Sequence, residues 1–285
     1  MSLKRAPLPG GHVAYVDHGD GEPLVLLHGG GVDHRMWDDQ LTAFPARRVL
    51  ALDARGHGAS STPTTAFRSC DDVVAVLDHA GVDRAVLAGV SMGGATATEV
   101  ALEYPERTSA LVVSGASVSD PDFRDPWVQE VFRAMQQAQE AGDAEGWIAA
   151  FLAFVSGPHR GGDDVDSRVL ARVDRMVRDT LAAHVRVEPG SSVPAAPVRP
   201  TPVADATARL GNIDVPVLAV IGALDADDHQ RFSHELAASV QDGRAVTISH
   251  TAHYPNMERP GEFNAAVRDF LAGLADEAAV STAAG

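Results

Sequence analysis

The run Gly89-Val90-Ser91-Met92-Gly93-Gly94 carries the strongest chemical signal in the chain. A serine in a turn of small residues, between an apolar strand-like run and a helix-like run, is the setting of a nucleophile elbow. Serine alone is a weak nucleophile. It needs a base to take its proton and an acid to orient that base. Both residue types follow Ser91 in the chain. Asp225 comes after the apolar run Val217–Ile221, through Gly222-Ala223-Leu224. That spacing puts it at the carboxyl end of a strand, where open α/β sheets build their sites. Asp227 and Asp228 are rivals in the same loop and are read as a solvated acidic turn. His253 is the base candidate among the 12 histidines. It is preferred to His250 because it lies farther into its loop, just before Tyr254-Pro255. A developing oxyanion needs backbone N–H donors. Met92 offers one at the start of the helix after Ser91, and Gly30 offers another in the bare turn Gly29-Gly30-Gly31. That turn matches neither phosphate-loop pattern, G-x-x-x-x-G-K-[ST] or G-x-G-x-x-G. The expected chemistry is therefore acyl transfer by Ser91, His253 and Asp225, with the amides of Gly30 and Met92 as oxyanion hole.

These residues need a sheet whose strands end on one side. Apolar runs and helix-like segments alternate along the chain, which predicts a mainly parallel sheet flanked by helices. His12–Asp17 reads as an antiparallel strand near the edge. Pro23–His28, Arg48–Asp53, Ala85–Ala88, Ala110–Val113, Val217–Ile221 and Ala245–Ile248 read as buried strands. Helices are expected at Arg35–Ala43, Cys70–Ala80, Ala95–Leu102 and from Gly261 through Leu271. Between residues 115 and 210 the strand signal disappears. Asp125–Phe154 and Val165–Val185 are helical in pattern, and Glu188–Pro202 contains five prolines, too many for a regular helix or central strand. The expected organisation is a core of residues 1–114 and 211–275, a helical lid insertion over 115–210, and a disordered tail at 276–285. Trp127, Phe132, Trp147, Phe151 and Phe154 either pack the lid helices or line an acyl pocket; the low aromatic content favours an aliphatic pocket.

Composition narrows the partners. A formal net charge of −16 argues against nucleic acid and anionic membranes, which both select basic patches. No stretch is long enough to span a bilayer, and the N-terminus has no apolar run after its basic pair, so no signal peptide is expected. The single cysteine, Cys70, permits no internal disulfide, which fits a cytoplasmic location. The expected partner is a small molecule, with no cofactor and no metal; nothing in the chain speaks to oligomeric state.

The motifs together resemble the α/β-hydrolase superfamily. His28-Gly29-Gly30-Gly31 resembles its oxyanion loop. Asp53-Ala54-Arg55-Gly56-His57-Gly58-Ala59-Ser60 resembles its D-x-R-G-x-G-x-S loop. Gly222–Asp225 is similar to its acid site, and Ala252-His253 with Glu258-Arg259-Pro260 to its histidine segment. Leu24–Gly115 looks most like the group containing 3-oxoadipate enol-lactonases and related carboxylesterases, although bulkier residues often follow the first glycine there. Serine at the elbow separates the chain from the dehalogenases and epoxide hydrolases, which use aspartate. The resemblance implies an α/β-hydrolase fold and hydrolysis of an ester or lactone through an acyl-enzyme. It implies structural roles for His28, Asp53, Arg55 and His57. Two alternatives remain open: carbon–carbon bond cleavage or a lyase step on the same triad, and a small-ligand receptor on this fold.

Overall fold

A computed structural model describes residues 2–186 and 195–283. Eight strands form one sheet: β1 (Leu3–Leu8), β2 (Gly11–His18), β3 (Glu22–Leu27), β4 (Arg47–Leu52), β5 (Ala85–Val90), β6 (Thr108–Ser114), β7 (Val217–Gly222) and β8 (Gly243–Ile248). Their order is β1-β2-β4-β3-β5-β6-β7-β8. β1–β2 and β2–β4 pair antiparallel, and every later pairing is parallel. The helices are α1 (Ser69–Ala80), α2 (Met92–Glu103), α3 (Pro126–Ala141), α4 (Ala144–Ser156), α5 (Ser167–His184), α6 (Ala206–Arg209), α7 (Asp227–Ser239), α8 (Pro255–Glu258) and α9 (Pro260–Ala283).

The central strands are apolar throughout because both faces are covered. Successive side chains alternate across a strand, so β3 sends Leu24 and Leu26 into one core and Val25 and Leu27 into the other. The second core is closed by α1 and α2 through Val73, Leu77, Ala97 and Val100. The first is closed by α9 and by the insertion, through Phe263, Val267, Phe151, Phe154 and Val173. Val217 pairs with Leu111 and Gly243, so β7 sits between β6 and β8 and carries its C-terminal loop to the middle of the site.

The insertion between β6 and β7 is helical for local reasons. Asp125 and Asp143 accept N–H groups of Trp127 and Gly146 at the starts of α3 and α4, at 2.8 and 2.9 Å. Gly142, at φ 68°, ends α3. Asp166 caps α5 through Arg168 N, 2.9 Å. Residues 195–203 are irregular; residues 188–194 of the expected proline-rich return lie outside the described residues.

Four expectations change. Arg35–Ala43 is not a helix but one 3-10 turn, His34–Trp37, followed by turns. β1 is an additional edge strand. Asp227 and Asp228 do not form a turn but open α7; Asp227 is exposed as expected, whereas Asp228 is 2% exposed. It accepts the N–H groups of Arg124 and Asp125 at 2.6 Å each and pairs with Arg231, so it ties α7 to the start of α3. Finally, α9 runs to Ala283, into the stretch 276–285 expected to be disordered. Ala275–Val280 is rich in alanine with one glutamate, both strong helix formers. Residues 284 and 285 lie outside the described residues.

Candidate active site

Ser91 stands between β5 and α2 at φ 54°, ψ −121°. Few non-glycine residues adopt positive φ, and such strain concentrates at functional sites. The turn is possible because of its glycines. A side chain at Gly93 would collide with the carbonyls of Leu27 and His28, and one at Gly89 with the backbone of Gly93. Ser91 N donates to Ser114 O at 2.8 Å, which fixes the elbow to the end of β6.

Asp225 and His253 meet in a buried, hydrogen-bonded pair. His253 Nδ1 lies 2.9 Å from Asp225 Oδ2, and both residues are 3% exposed. An ionised carboxylate only accepts, so Nδ1 carries the hydrogen and Nε2 is left as a proton acceptor. Burial alone would push Asp225 upward; His253 and His229 outweigh it and hold the carboxyl below its ordinary range. Burial pushes His253 down, Asp225 pulls it up, and with His229 opposing, the net shift is downward. The His253 imidazole is therefore neutral at neutral pH. His250, the rival, is exposed and at φ 59°.

Among the described residues no hydrogen bond joins Ser91 to His253. Gly29 and Gly115 border the two residues: a Cβ at Gly115 would meet the His253 ring. A Cβ at Gly29 would stand 3.6 Å from Ser91 Cβ and 3.5 Å from the ring of Tyr254, next to His253. Catalytic hydrogen bonds in unliganded enzymes are often long and tighten in the substrate complex.

The glycine turn after β3 is held by two neutral histidines. His28 Nε2 accepts Ala54 N at 2.9 Å, so its Nδ1 donates to Gly29 O, 2.7 Å. His57 Nε2 accepts Gly31 N at 3.1 Å, so its Nδ1 donates to Arg55 O, 3.2 Å. Burial keeps both uncharged, His57 down to about 3. Gly29 N is directed at Met36 Sδ, 3.3 Å. Gly30 N has no acceptor among the described residues, nor can Met92 N find one inside α2, whose first amides lack intrahelical partners. Asp53 is buried and accepts His34 N at 2.8 Å and Ala59 N at 2.9 Å, joining the two loops. Arg55 pairs with Asp72 nearby.

The insertion covers this site with aromatic rings. Phe154 of α4 stands 5.7 Å from the His253 ring and 5.7 Å from that of His229. Trp127 packs edge-on against Phe154, and Trp147 stacks on Phe151. The surroundings of His253 are thus more aromatic than composition suggests. A cavity of about 30 Å³ under Met92, bounded by His28, Asp53 and Thr96, has room for a water and not for a substrate.

Two contributors escape a reading of the sequence. His229 on α7 donates Nδ1–H to the other oxygen of Asp225 at 2.9 Å; its place four residues after Asp225 was a usable helical signal. Gly115, at φ 65°, leaves room for His253: a Cβ there would lie 2.8 Å from Cε1 of the ring. Asp225, His229 and His253 also have the donor types of a cation site. Both imidazole Nδ1 atoms and both carboxylate oxygens are, however, already used in hydrogen bonds to one another.

A model of the alpha/beta hydrolase family matches residues 24–266, and the chain belongs to that family. It is similar to 3-oxoadipate enol-lactonase 2 of Acinetobacter baylyi, 27% identical over 259 residues, covering 87% of this chain and 88% of the relative. It is also similar to carboxylesterase YbfK of Bacillus subtilis, 27% identical over 264 residues, covering 89% of this chain and 81% of the relative. A crystal structure of a hydrolase from Pseudomonas aeruginosa PA01 superposes with a TM-score of 0.73 at 31% identity, covering 94% of this chain and 98% of that one. No helix among the described residues is long and apolar enough to cross a membrane.

Proposed function

We propose that the protein is a serine hydrolase that cleaves a carboxylic ester or lactone through an acyl-enzyme. The observation that carries this reading is the buried His253–Asp225 hydrogen bond, 2.9 Å, in a chain whose elbow serine is held at positive φ. Ser91 Oγ attacks the carbonyl carbon while His253 Nε2 takes its proton. Asp225 holds the imidazole in the tautomer that presents Nε2. The carbonyl oxygen, now anionic, is stabilised by the amides of Gly30 and Met92, which have no acceptor of their own. His253 returns the proton to the leaving alkoxide; in a lactone that alkoxide stays tethered to the acyl group. Water activated by His253 then releases the acid. The relatives' names, an enol-lactonase and a carboxylesterase, support this substrate class.

Residues 115–210 act as a lid in this reading, because α4 sets Phe154 against His253. Substrate then enters as α3 and α4 move away from the sheet. A panel of p-nitrophenyl esters and lactones, with Ser91→Ala as control, tests the proposal. Burst release of p-nitrophenol by the wild type, absent in the variant, is the expected outcome. Turnover of a dienol keto acid, with none of esters or lactones, would assign carbon–carbon cleavage instead. Tight binding without turnover would assign a receptor.

A further inference from the structure

We propose that His229 is a positioning residue of the catalytic machinery, fixing the Asp225 carboxylate so that its second oxygen can orient His253. The inference rests on the triad reading above. Asp225 Oδ2 serves His253 alone, whereas Oδ1 accepts two donors: His229 Nδ1 at 2.9 Å and Ala226 N at 2.8 Å. The Ala226 amide is adjacent in the chain and moves with Asp225. His229 comes from the first turn of α7 and gives the carboxylate an anchor outside its own loop.

The surroundings of His229 sharpen this role. It is 4% exposed, with rings of Phe123 and Phe154 at 6.0 and 5.7 Å and that of His253 at 4.1 Å. A phenylalanine would fill the same aromatic box, so packing alone does not call for a histidine. A buried imidazole needs a partner for its N–H, and the one it has is the catalytic carboxylate. The same helix reaches the site a second time. Ser233 Oγ donates to His229 O at 3.0 Å and accepts Gly115 N at 3.1 Å. Gly115 in turn borders the His253 ring, which a Cβ there would meet. α7 thus bears on the base from both sides, through Asp225 and through Gly115. If the carboxylate rotates, the imidazole loses its direction toward Ser91. A misplacement of about 1 Å in a reacting group costs on the order of 10²-fold in rate.

Two variants separate positioning from packing. His229→Phe keeps the ring and removes the donor. His229→Asn removes the ring and keeps an N–H near the position of Nδ1. The readouts are kcat and KM on a p-nitrophenyl ester, the rate of fluorophosphonate labelling, and Tm. The expected result is a fall in kcat of about 10- to 100-fold in His229→Phe at little-changed KM, with most of it restored in His229→Asn. A packing role reverses the order: His229→Phe stays within about two-fold of wild type and His229→Asn is the impaired one. That result would overturn the proposal. Should the phenylalanine variant not fold, His229→Leu against His229→Asn, the same branched skeleton without and with an N–H, gives the comparison. Wild type and Ser91→Ala run alongside keep the two readings apart. If wild type labels at Ser91 and His229→Phe labels as fast, only the role of His229 fails. If wild type does not label, the triad reading fails and this one with it.

Discussion

Arg160, just beyond α4, is paired with Glu258 of α8, and the pair joins the insertion to the histidine loop. The guanidinium also caps α4, donating to Val155 O at 3.0 Å and Ser156 O at 2.8 Å, and it reaches His250 O at 3.0 Å. Glu258 uses its other oxygen to hold Ala252 N at 2.8 Å, one residue before His253. The insertion and the histidine loop are therefore anchored to one buried ion pair, with side chains 9% and 6% exposed.

Breaking such a pair from one side leaves an uncompensated buried charge, which costs about 3–5 kcal/mol. Arg160→Met and Glu258→Gln are each expected to lower Tm and to reduce kcat, because the loop that carries His253 loses its charged tie to the insertion. The double variant should recover part of the stability. Thermal unfolding beside ester turnover checks this, and single variants with wild-type Tm would refute the clamp.

Gly115→Ala is expected to remove activity while the fold survives. The new methyl would press on the His253 ring from 2.8 Å, at a φ of 65° that alanine resists. Gly261→Ala is the control. It adds a methyl in open space near the start of α9, and there alanine stabilises by up to about 1 kcal/mol. Comparing Tm and kcat of the two variants decides it; an active Gly115→Ala enzyme would contradict the placement of His253.

Stability should fall on the acid side, with a traceable origin. His28 and His57 each accept a backbone N–H on Nε2, and burial depresses both, His57 to about 3. An unfolded histidine takes up a proton as pH falls through its ordinary 6.5, while folded His57 does so only near 3. In that interval the unfolded state binds more protons, so stability, full above 6.5, declines toward 3. Tm measured from about pH 8 to about pH 4 should show this decline, and His57→Asn should flatten it. An unchanged slope in that variant would remove His57 from the account.

Activity has its own acid limb. In the proposed mechanism His253 must be neutral to accept the Ser91 proton, and its burial lowers it from 6.5. The acid limb of kcat/KM should therefore lie below pH 6.5 under conditions where Tm shows the protein folded. A limb above that value would mean that Asp225 dominates the environment of His253.

Much of the candidate site was legible because its parts are local. The elbow shows as glycines flanking one serine, and Asp225 and His253 each follow an apolar strand run. α7 was missed because its buried face carries Asp228, His229 and Ser233 beside Phe232 and Leu236, which blunts the apolar periodicity. His229 went with it. β1 hides behind Lys4, Arg5 and Pro7, residues suited to an edge strand. Phe154 was recognisable as a helix residue. Its place against His253 depends on how α4 crosses the sheet, which no local pattern encodes. Asp228 looked like a surface acid because its partners, the amides of Arg124 and Asp125, lie about a hundred residues away.

The most direct test of the account is fluorophosphonate labelling of wild type and Ser91→Ala, read by intact mass and peptide mapping. One adduct per chain on wild type, located at Ser91 and absent from the variant, is the expected result. A folded wild-type protein that takes no label, or takes it at another residue, would contradict an activated serine at this elbow.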